Sequence, residues 1–404
     1  MFELIKCEWI KLCRKRITII STLVCFAGTC VLFLLPYLQY EVWDEDANRL
    51  FGREAVNYRK EIYEEKLSGI LTEERIYNDI VEYQTMYHNP DNTMEERGGE
   101  VTFKDEIYYR YFEPRRSYLR WLGNSYSNNE VGTLNLINLE DEQMEDFYTA
   151  RRETIVERIQ NNETLSESEK EYWKDKSLSV PTPFEYGYVL GWSQFGTAAQ
   201  MLIICILGIC IAVAPVFSEE YRLGTDAVIL STKYGKSKLI VAKLVTAFAF
   251  ATVVYAVNAI AAITIPLLCF GPGGGNLPIQ IALSLSPYRL TFFRVTMLSV
   301  LLAYLVLLGM VSLALFLSSR VKSSIAVISV LVFMLFIPMF LPFARITALF
   351  PSNAVLGQVL YGYYISYRLG SVVINHFQMI FILYMICTCS CLPMAYRAFR
   401  RHQI

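Results

Sequence analysis

Charge is missing from six long stretches of this 404-residue chain. Residues 17–38, 196–217, 244–270, 295–318, 323–343 and 377–396 hold no Asp, Glu, Lys or Arg. That excludes a uniform soluble globule, in which apolar runs rarely exceed the length of a buried strand or helix face. Histidine is scarce too: His88, His376 and His402 stand far apart, with no H-E-x-x-H arrangement and no G-x-S-x-G elbow. A phosphate-binding loop is lacking, because Gly235-Lys236-Ser237 supplies the last tripeptide while Leu230 occupies the place of the first glycine. Cysteine is absent from residues 39–195, although the chain has ten. An exported block of that size without disulfides suits a bacterial cell that does not depend on oxidative folding outside. Net charge is also nearly absent, at -1, so no general attraction to nucleic acid is expected.

What is present is an uneven distribution. Apolar residues make up 54% of the chain, above the roughly 45–50% of soluble domains. Residues 39–195 hold 33 acids and 18 bases, leaving 5 acids and 19 bases elsewhere. An acidic polar block is therefore set inside a basic apolar frame. A spanning helix needs about 20 apolar residues, and a charge at its centre costs about 2.5–3.5 kcal/mol, so each of the six runs reads as a span. Residues 17–38 follow basic residues as a signal peptide would, but the run is too long and no small-x-small cleavage site follows it. Lys and Arg concentrate in the N-terminal tail, residues 218–238, the 319–322 loop and the C-terminal tail, which places both termini in the cytoplasm by the positive-inside rule.

The expected fold is thus an all-α polytopic membrane protein in the cell membrane, with six transmembrane helices and a large, mainly helical extracellular insertion between the first and second. Residues 1–16 form a cytoplasmic amphipathic elbow, 17–38 the first span, 39–195 the extracellular domain, 196–396 a five-helix membrane region and 397–404 a cytoplasmic tail. Within the membrane region, 218–238 is a cytoplasmic loop and 344–376 an outer loop. In the elbow, Phe2, Ile5, Trp9 and Leu12 recur at helical spacing opposite Lys6, Lys11 and Arg14, so this helix can lie on the lipid surface.

In the insertion, residues 40–67 are expected to continue the first span. Further helices are expected over 72–87, 104–122 with an interruption near Pro114, and 139–160. A further short helix is expected after the Ser166-x-x-Glu169 capping box, ending near Lys176. Tyr186, Tyr188 and Trp192 suit an interfacial belt. Tyr108, Tyr109 and Tyr111 read better as core than as a ligand platform. Gly271-Pro272-Gly273-Gly274-Gly275 reads as a flexible turn, and Asn258, the notable polar residue inside a span, as glue between helices. Cys387, Cys389 and Cys391 do not share a helical face and read as packing residues, and no metal or cofactor is expected.

Chemistry of its own is hard to find. Glu219 and Glu220 stand at a span end rather than inside the bilayer, where an intramembrane protease would need its acids. No span holds the ionisable groups that ion-coupled carriers use. Any transport must draw energy from another polypeptide. The cytoplasmic loop shows how: Thr225 can cap a short helix through Val228, Ile229 and Leu230 that Gly235 would end, leaving aliphatic side chains beside Lys233 and Lys236 in need of a partner or lipid headgroups.

Three features carry a resemblance. These are Leu4-Ile5-Lys6-x-Glu8-x-x-Lys11 with Arg14 before the first span, Glu220 with Gly224-Thr225 after the second followed by Lys243 at the start of the third, and the six-span topology itself. With these the chain resembles the membrane subunits, or permeases, of exporters of the ABC type-2 family, over roughly 250 residues of its membrane part. The resemblance implies a subunit without ATPase motifs that pairs with a second permease copy or a homologous permease and binds a separate ABC ATPase. It implies a coupling helix over about 225–232, with Glu220, Gly224, Thr225, Asp226, Val228, Ile229, Leu230 and Lys233 as the ATPase-coupling residues. The stretch Thr232-Lys233-Tyr234-Gly235-Lys236 departs from the usual Pro-x-x-Arg-like pattern. Two half-helices are implied in the last outer loop, with Pro351, Ser352 and Asn353 as outer-gate candidates. Peptides, drugs, lipids or ions are conceivable cargoes, and the acidic insertion favours a cationic peptide. The alternative is a membrane sensor or assembly factor whose extracellular domain binds a ligand.

Overall fold

The computed structural model describes residues 1–95, 101–127 and 132–401; the end of the tail, with His402, lies outside them. Five helices are long and apolar enough to cross a membrane: Arg16–Leu38, Leu190–Leu223, Lys238–Phe270, Phe292–Ser318 and His376–Arg400. They are called the first to fifth long helices below. The expected span at 323–343 is a shorter element, a helix over Ser324–Phe336 that tightens into a 3-10 turn over Ile337–Phe340. Pro338 stands in that turn and, having no N–H, cannot extend the helical ladder. The second long helix begins six residues before the expected 196.

Both chain ends gather at one end of the bundle. Phe399 packs on Phe217, with ring centroids 4.8 Å apart, and on Tyr221 at 5.6 Å. The N-terminal helix Phe2–Cys13 lies against the start of the third long helix, where Trp9 meets Phe250 edge-on at 6.3 Å. Asn258 joins first and third long helices as expected: Thr29 Oγ1 donates to its Oδ1 at 2.8 Å, while its Nδ2 donates to Val254 O.

The polar insertion caps the opposite end. Its helices Glu73–His88, Glu113–Tyr126, Phe147–Gln160 and Glu167–Leu178 follow the expected pattern. Thr72 caps the first by accepting from the Arg75 amide at 3.2 Å, and Ser166 with Glu169 forms the expected capping box. Near Pro114 the helix widens into a π turn over Tyr108–Phe112, the local response to a missing donor. Tyr111 is buried with Phe103 and Tyr83, as a core tyrosine should be.

Three expectations fail here. The first long helix does not continue past Leu38; Glu41–Trp43 pairs antiparallel with Arg49–Phe51. The cause is the intervening turn, where Asp44 Oδ1 accepts from the amides of Asp46 and Asn48, and Ala47 takes φ +62. Four two-stranded pairings in all, among the described residues, make the fold helical with small β elements rather than purely α. Tyr186, Tyr188 and Trp192 are not a lipid-facing belt, since all three are buried. Tyr188 Oη donates to Phe270 O at 2.7 Å and Trp192 Nε1 to Pro272 O at 2.9 Å.

Those two bonds explain the glycine run. Gly274 has φ +77, and a Cβ there would strike the Tyr188 carbonyl; a Cβ at Gly275 would press on the Trp192 ring at 3.0 Å. The glycines are thus a packed saddle between insertion and bundle rather than a flexible turn.

A second latch joins Glu169 to the loop after residue 343. Arg345 Nη1 donates to Glu169 Oε1 at 2.9 Å and Ser366 Oγ to the same atom at 2.8 Å, while Trp173 Nε1 donates to Ser366 Oγ. Burial pushes the Glu169 carboxyl up, but the Ser166 amide and hydroxyl, Ser366 and Arg345 outweigh it and hold the group below 4.5. A depressed carboxyl pKa contributes stability that is complete above the ordinary value and disappears as pH falls through the depressed one.

Two outcomes follow. Gly274→Ala, carrying both an unfavourable φ and a backbone clash, lowers the unfolding midpoint of the purified protein by more than Gly370→Ala, which has φ +64 but open space and should cost only about 1–2 kcal/mol. In thermal unfolding followed against pH, the wild type loses stability below 4.5 more steeply than Glu169→Gln; coincident slopes would remove the latch from the account.

Candidate functional site

The residues singled out in three distant segments meet at the end of the bundle that holds both termini. The second long helix loses its ladder at Pro215, which has no amide hydrogen, and a neighbouring hydroxyl takes over. Ser318 Oγ accepts from the amides of Phe217 and Ser218, both at 3.0 Å, and donates to Ala214 O at 2.6 Å. Ser218 Oγ lies 2.7 Å from Ser324 Oγ, and Tyr221 Oη donates to Ser319 O at 2.9 Å. The last two turns of this helix are therefore fastened to the fourth long helix and the start of the helix that follows it.

That helix ends at Gly224, whose φ of +67 is the left-handed geometry of a C-terminal cap. The Thr225 amide donates to Glu220 O at 3.0 Å and the Gly224 amide to Tyr221 O at 3.3 Å, which reverses the chain directly into the short helix Asp226–Ser231. Thr225 occupies the N-cap position, but its side chain does not cap. Thr225 Oγ1 instead donates to Glu220 Oε2 at 2.5 Å. The sequence reading placed the residue correctly and its hydroxyl wrongly, because donating to a buried carboxylate is a charge-assisted bond, stronger than one accepted from a neutral helix amide.

Glu220 is the centre of the site. Its Oε1 accepts from Lys243 Nζ at 2.7 Å and from Lys11 Nζ, while Lys243 also donates to Glu8 Oε2 at 2.9 Å. Lys243 is 2% exposed and Glu220 3%. Two ammonium groups and two carboxylates make the cluster neutral. Beside it Lys15 pairs with Glu219. Burial pushes the Lys11 ammonium down, but the Glu220 carboxylate more than offsets this and holds it above 10.5, so Lys11 stays charged at physiological pH.

Helix dipoles do not favour this arrangement. Glu220 is an anion near a helix C-terminus and Lys243 a cation in the second turn of the third long helix, each at the end of unfavourable sign. Each is held by the other and by the N-terminal helix rather than by its own helix. The cluster thus ties three elements into one unit: the N-terminal helix, the end of the second long helix and the start of the third.

The short helix projects from that unit. Val228 is 67% exposed, as are Leu223 and Tyr234 in large part, whereas Leu230 and Asp226 are buried and Ile229 half-buried. Of the aliphatic trio Val228, Ile229 and Leu230, only Val228 is well presented for docking, and Leu230 instead anchors the helix to the bundle. Lys233 and Lys238 flank the Tyr234 ring at 5.5 and 4.6 Å. The helix stops at Ser231 rather than at Gly235; Gly235 matters because a Cβ there would strike the Ile229 carbonyl, so the following turn folds back tightly over the helix end.

The N-terminal helix uses its apolar face against protein. Ile5, Trp9 and Leu12 face the bundle, Thr246 Oγ1 donates to Ile5 O at 3.3 Å, and Phe2 stays exposed. Pro351, Ser352 and Asn353 lie far from this site, at the insertion end, in a one-turn helix Pro351–Ala354 followed by a second over Gly357–Tyr361. Asn353 Nδ2 donates to Thr347 O at 2.9 Å, and Ser352 Oγ is buried without a hydrogen-bond partner. An antiparallel hairpin, Ser366–Leu369 with Val372–Asn375, completes this loop and was not foreseen. Among the described residues no group of His, Cys, Asp and Glu is placed to hold a metal ion.

Lys15, Glu219 and Ser318 were missed as members of the site. Lys15 and Glu219 carried a charge signal that a pairing search across segments could have used; the serine carried none.

A family model described as an ABC-2 family transporter protein matches residues 2–389. No curated protein and no solved structure matches the chain.

Removing one partner from a buried pair costs about 3–5 kcal/mol, whereas replacing both by apolar residues is often neutral. Glu220→Gln should therefore destabilise the protein by about 3 kcal/mol, and the pair Glu220→Leu with Lys243→Met should recover part of that loss. A double-mutant cycle on unfolding midpoints measures the coupling; strictly additive losses would show that the two groups do not interact.

Proposed function

Because this chain belongs to the ABC-2 family of transporter proteins, we propose that it is the membrane-spanning permease subunit of an ATP-driven exporter, powered by a separate ATPase subunit. The observation that carries this reading is the small helix Asp226–Ser231, fixed rigidly through Gly224 and Thr225 to the Glu220 cluster while Val228 faces solvent. A rigid lever with an exposed apolar tip transmits force when a partner pushes it, because Glu220, Lys243 and Lys11 pass the displacement to three helices together.

The family is one of membrane transport subunits, and this chain is a multi-pass membrane protein. In the proposed orientation the termini and the Glu220 cluster are cytoplasmic and the 39–195 insertion is extracellular, as the Lys and Arg bias supports. Val228, Ile229 and Lys233 meet the ATPase; Glu220, Gly224, Thr225 and Asp226 hold the lever; Leu230 anchors it. A second permease copy or a homologous permease completes the pathway. Pro351, Ser352 and Asn353 belong to its outer gate, supported by two short helices that stand where irregular backbone is covered by the insertion.

Copurification from native membranes tests this. The wild type should bring down a nucleotide-hydrolysing partner, and Val228→Asp should lose it while remaining folded in the membrane. Glu220→Gln should keep the partner but reduce transport-coupled hydrolysis at least about tenfold, a change of ~1.4 kcal/mol. A protein that purifies alone, with a ligand bound to the insertion and no ATPase at any stage, would instead be the sensor.

A further inference from the structure

A recess of about 330 Å³ opens at the insertion end between the second and fourth long helices, under the helix Gly357–Tyr361. Small-molecule sites begin at roughly that volume. Trp192, Phe292, Val295 and Leu356 supply apolar walls. No Asp, Glu, Lys, Arg or His lines it. Its polar side chains are Ser193, Thr197, Gln200, Thr296, Ser299 and Tyr361, and of these Gln200 and Thr296 make no side-chain hydrogen bond among the described residues. The other hydroxyls already donate or pair: Ser193 Oγ to Leu190 O, Thr197 Oγ1 to Ser193 O, and Tyr361 Oη to Val295 O with Ser299 Oγ 2.8 Å away. Gln200 sits in a 3-10 turn, Ala199–Met201, that interrupts the second long helix. It is eight residues beyond Trp192, roughly 12 Å further along the axis.

We infer that this recess is a binding site for an uncharged amphipathic molecule, its polar end hydrogen-bonded to Gln200 and Thr296 and its apolar part against Trp192 and Phe292. The charge follows from the walls. An ammonium or phosphate placed there would lose its hydration with no counter-ion, a far greater cost than moving a hydroxyl or ester that finds partners. The polar end follows from the unpaired amide, which gains a bond only from a ligand with donors or acceptors. Trp192 also borders a wider cleft of about 710 Å³ whose lining includes Lys60, Glu64 and Glu185, so one indole is common to the recess and to a polar cleft beside it. That the site lies on an export path rests on the permease reading; that it binds such a ligand does not. This ligand class replaces the cationic peptide suggested by the acidic insertion, at least for the part of a cargo that rests here.

Gly196 gives a clean test, because it lines the recess and a Cβ on it meets nothing within 4 Å. Gly196→Leu therefore starts from open space at its Cβ and takes up volume at the wall of the recess. The full chain in native membranes, without nucleotide, is irradiated with a diazirine-bearing decanoyl chain esterified to glycerol, to choline or to glycerol phosphate. The glycerol ester should label peptides containing residues 192–200 and 292–299 about fivefold more than either charged ester. Gly196→Leu should lower that labelling about tenfold and Gln200→Leu about fivefold, each with an unchanged unfolding midpoint. Equal labelling by the charged esters, labelling of Gly196→Leu at the wild-type level, or no label on these peptides would each overturn the inference. Should Gly196→Leu unfold, Gln200→Leu decides between these outcomes. All readouts are independent of an ATPase, so failure of the permease reading leaves them intact.

Discussion

One carboxylate, that of Glu220, is buried between two ammonium groups, and the working end of the molecule depends on it. Three chain segments separated by up to 235 residues converge there, and none has a local reason to do so. The helix ends carry partial charges of the wrong sign for both Glu220 and Lys243. An arrangement that opposes its own helix dipoles is costly unless each charge finds the other, which makes the cluster all-or-none: present, it welds three helices; missing one member, it leaves a charge stranded out of water.

The opposite end is built on different physics. The insertion is held by side chains whose polar atoms reach backbone carbonyls of a bundle loop: Trp121 Nε1 donates to Gln280 O and Arg151 Nε to Ser284 O, while Tyr364 Oη ties the last outer loop to Leu285 O. Together with the Glu169 latch and the glycine saddle, these bonds make the insertion part of the loop structure around the gate candidates. The insertion and the short helices under it are accordingly coupled, since close-packed contacts transmit displacement rather than absorb it.

The two ends are connected by the second long helix. Its first turns bear Trp192 and the recess, a 3-10 turn at Gln200 interrupts it, its ladder is broken at Pro215, and its last turn carries Glu220 and the cap at Gly224. Irregularities in a membrane-length helix are tolerated where neighbouring side chains satisfy the freed backbone groups, and Ser318 does so at Pro215. The helix is therefore segmented near the recess, by the 3-10 turn Ala199–Met201, and near the Glu220 cluster, at Pro215.

Much of this was legible in the residues alone. Uncharged runs of more than 20 residues revealed the long helices because hydrocarbon excludes charge whatever the tertiary fold. Ser166 with Glu169 announced its cap, because capping is decided within one turn of chain. What pairs across distance was decided by tertiary structure. Thr225 looked like an N-cap until a buried carboxylate claimed its hydroxyl. The glycine run looked flexible until Tyr188 and Trp192 pressed against it, and the three aromatic residues expected at a lipid interface became the ties of the insertion. Local rules read which conformation a segment prefers. Only the folded chain determines which charge lies beside which, because a carboxylate 2.7 Å from an ammonium is a fact about two surfaces meeting, and neither segment carries it alone.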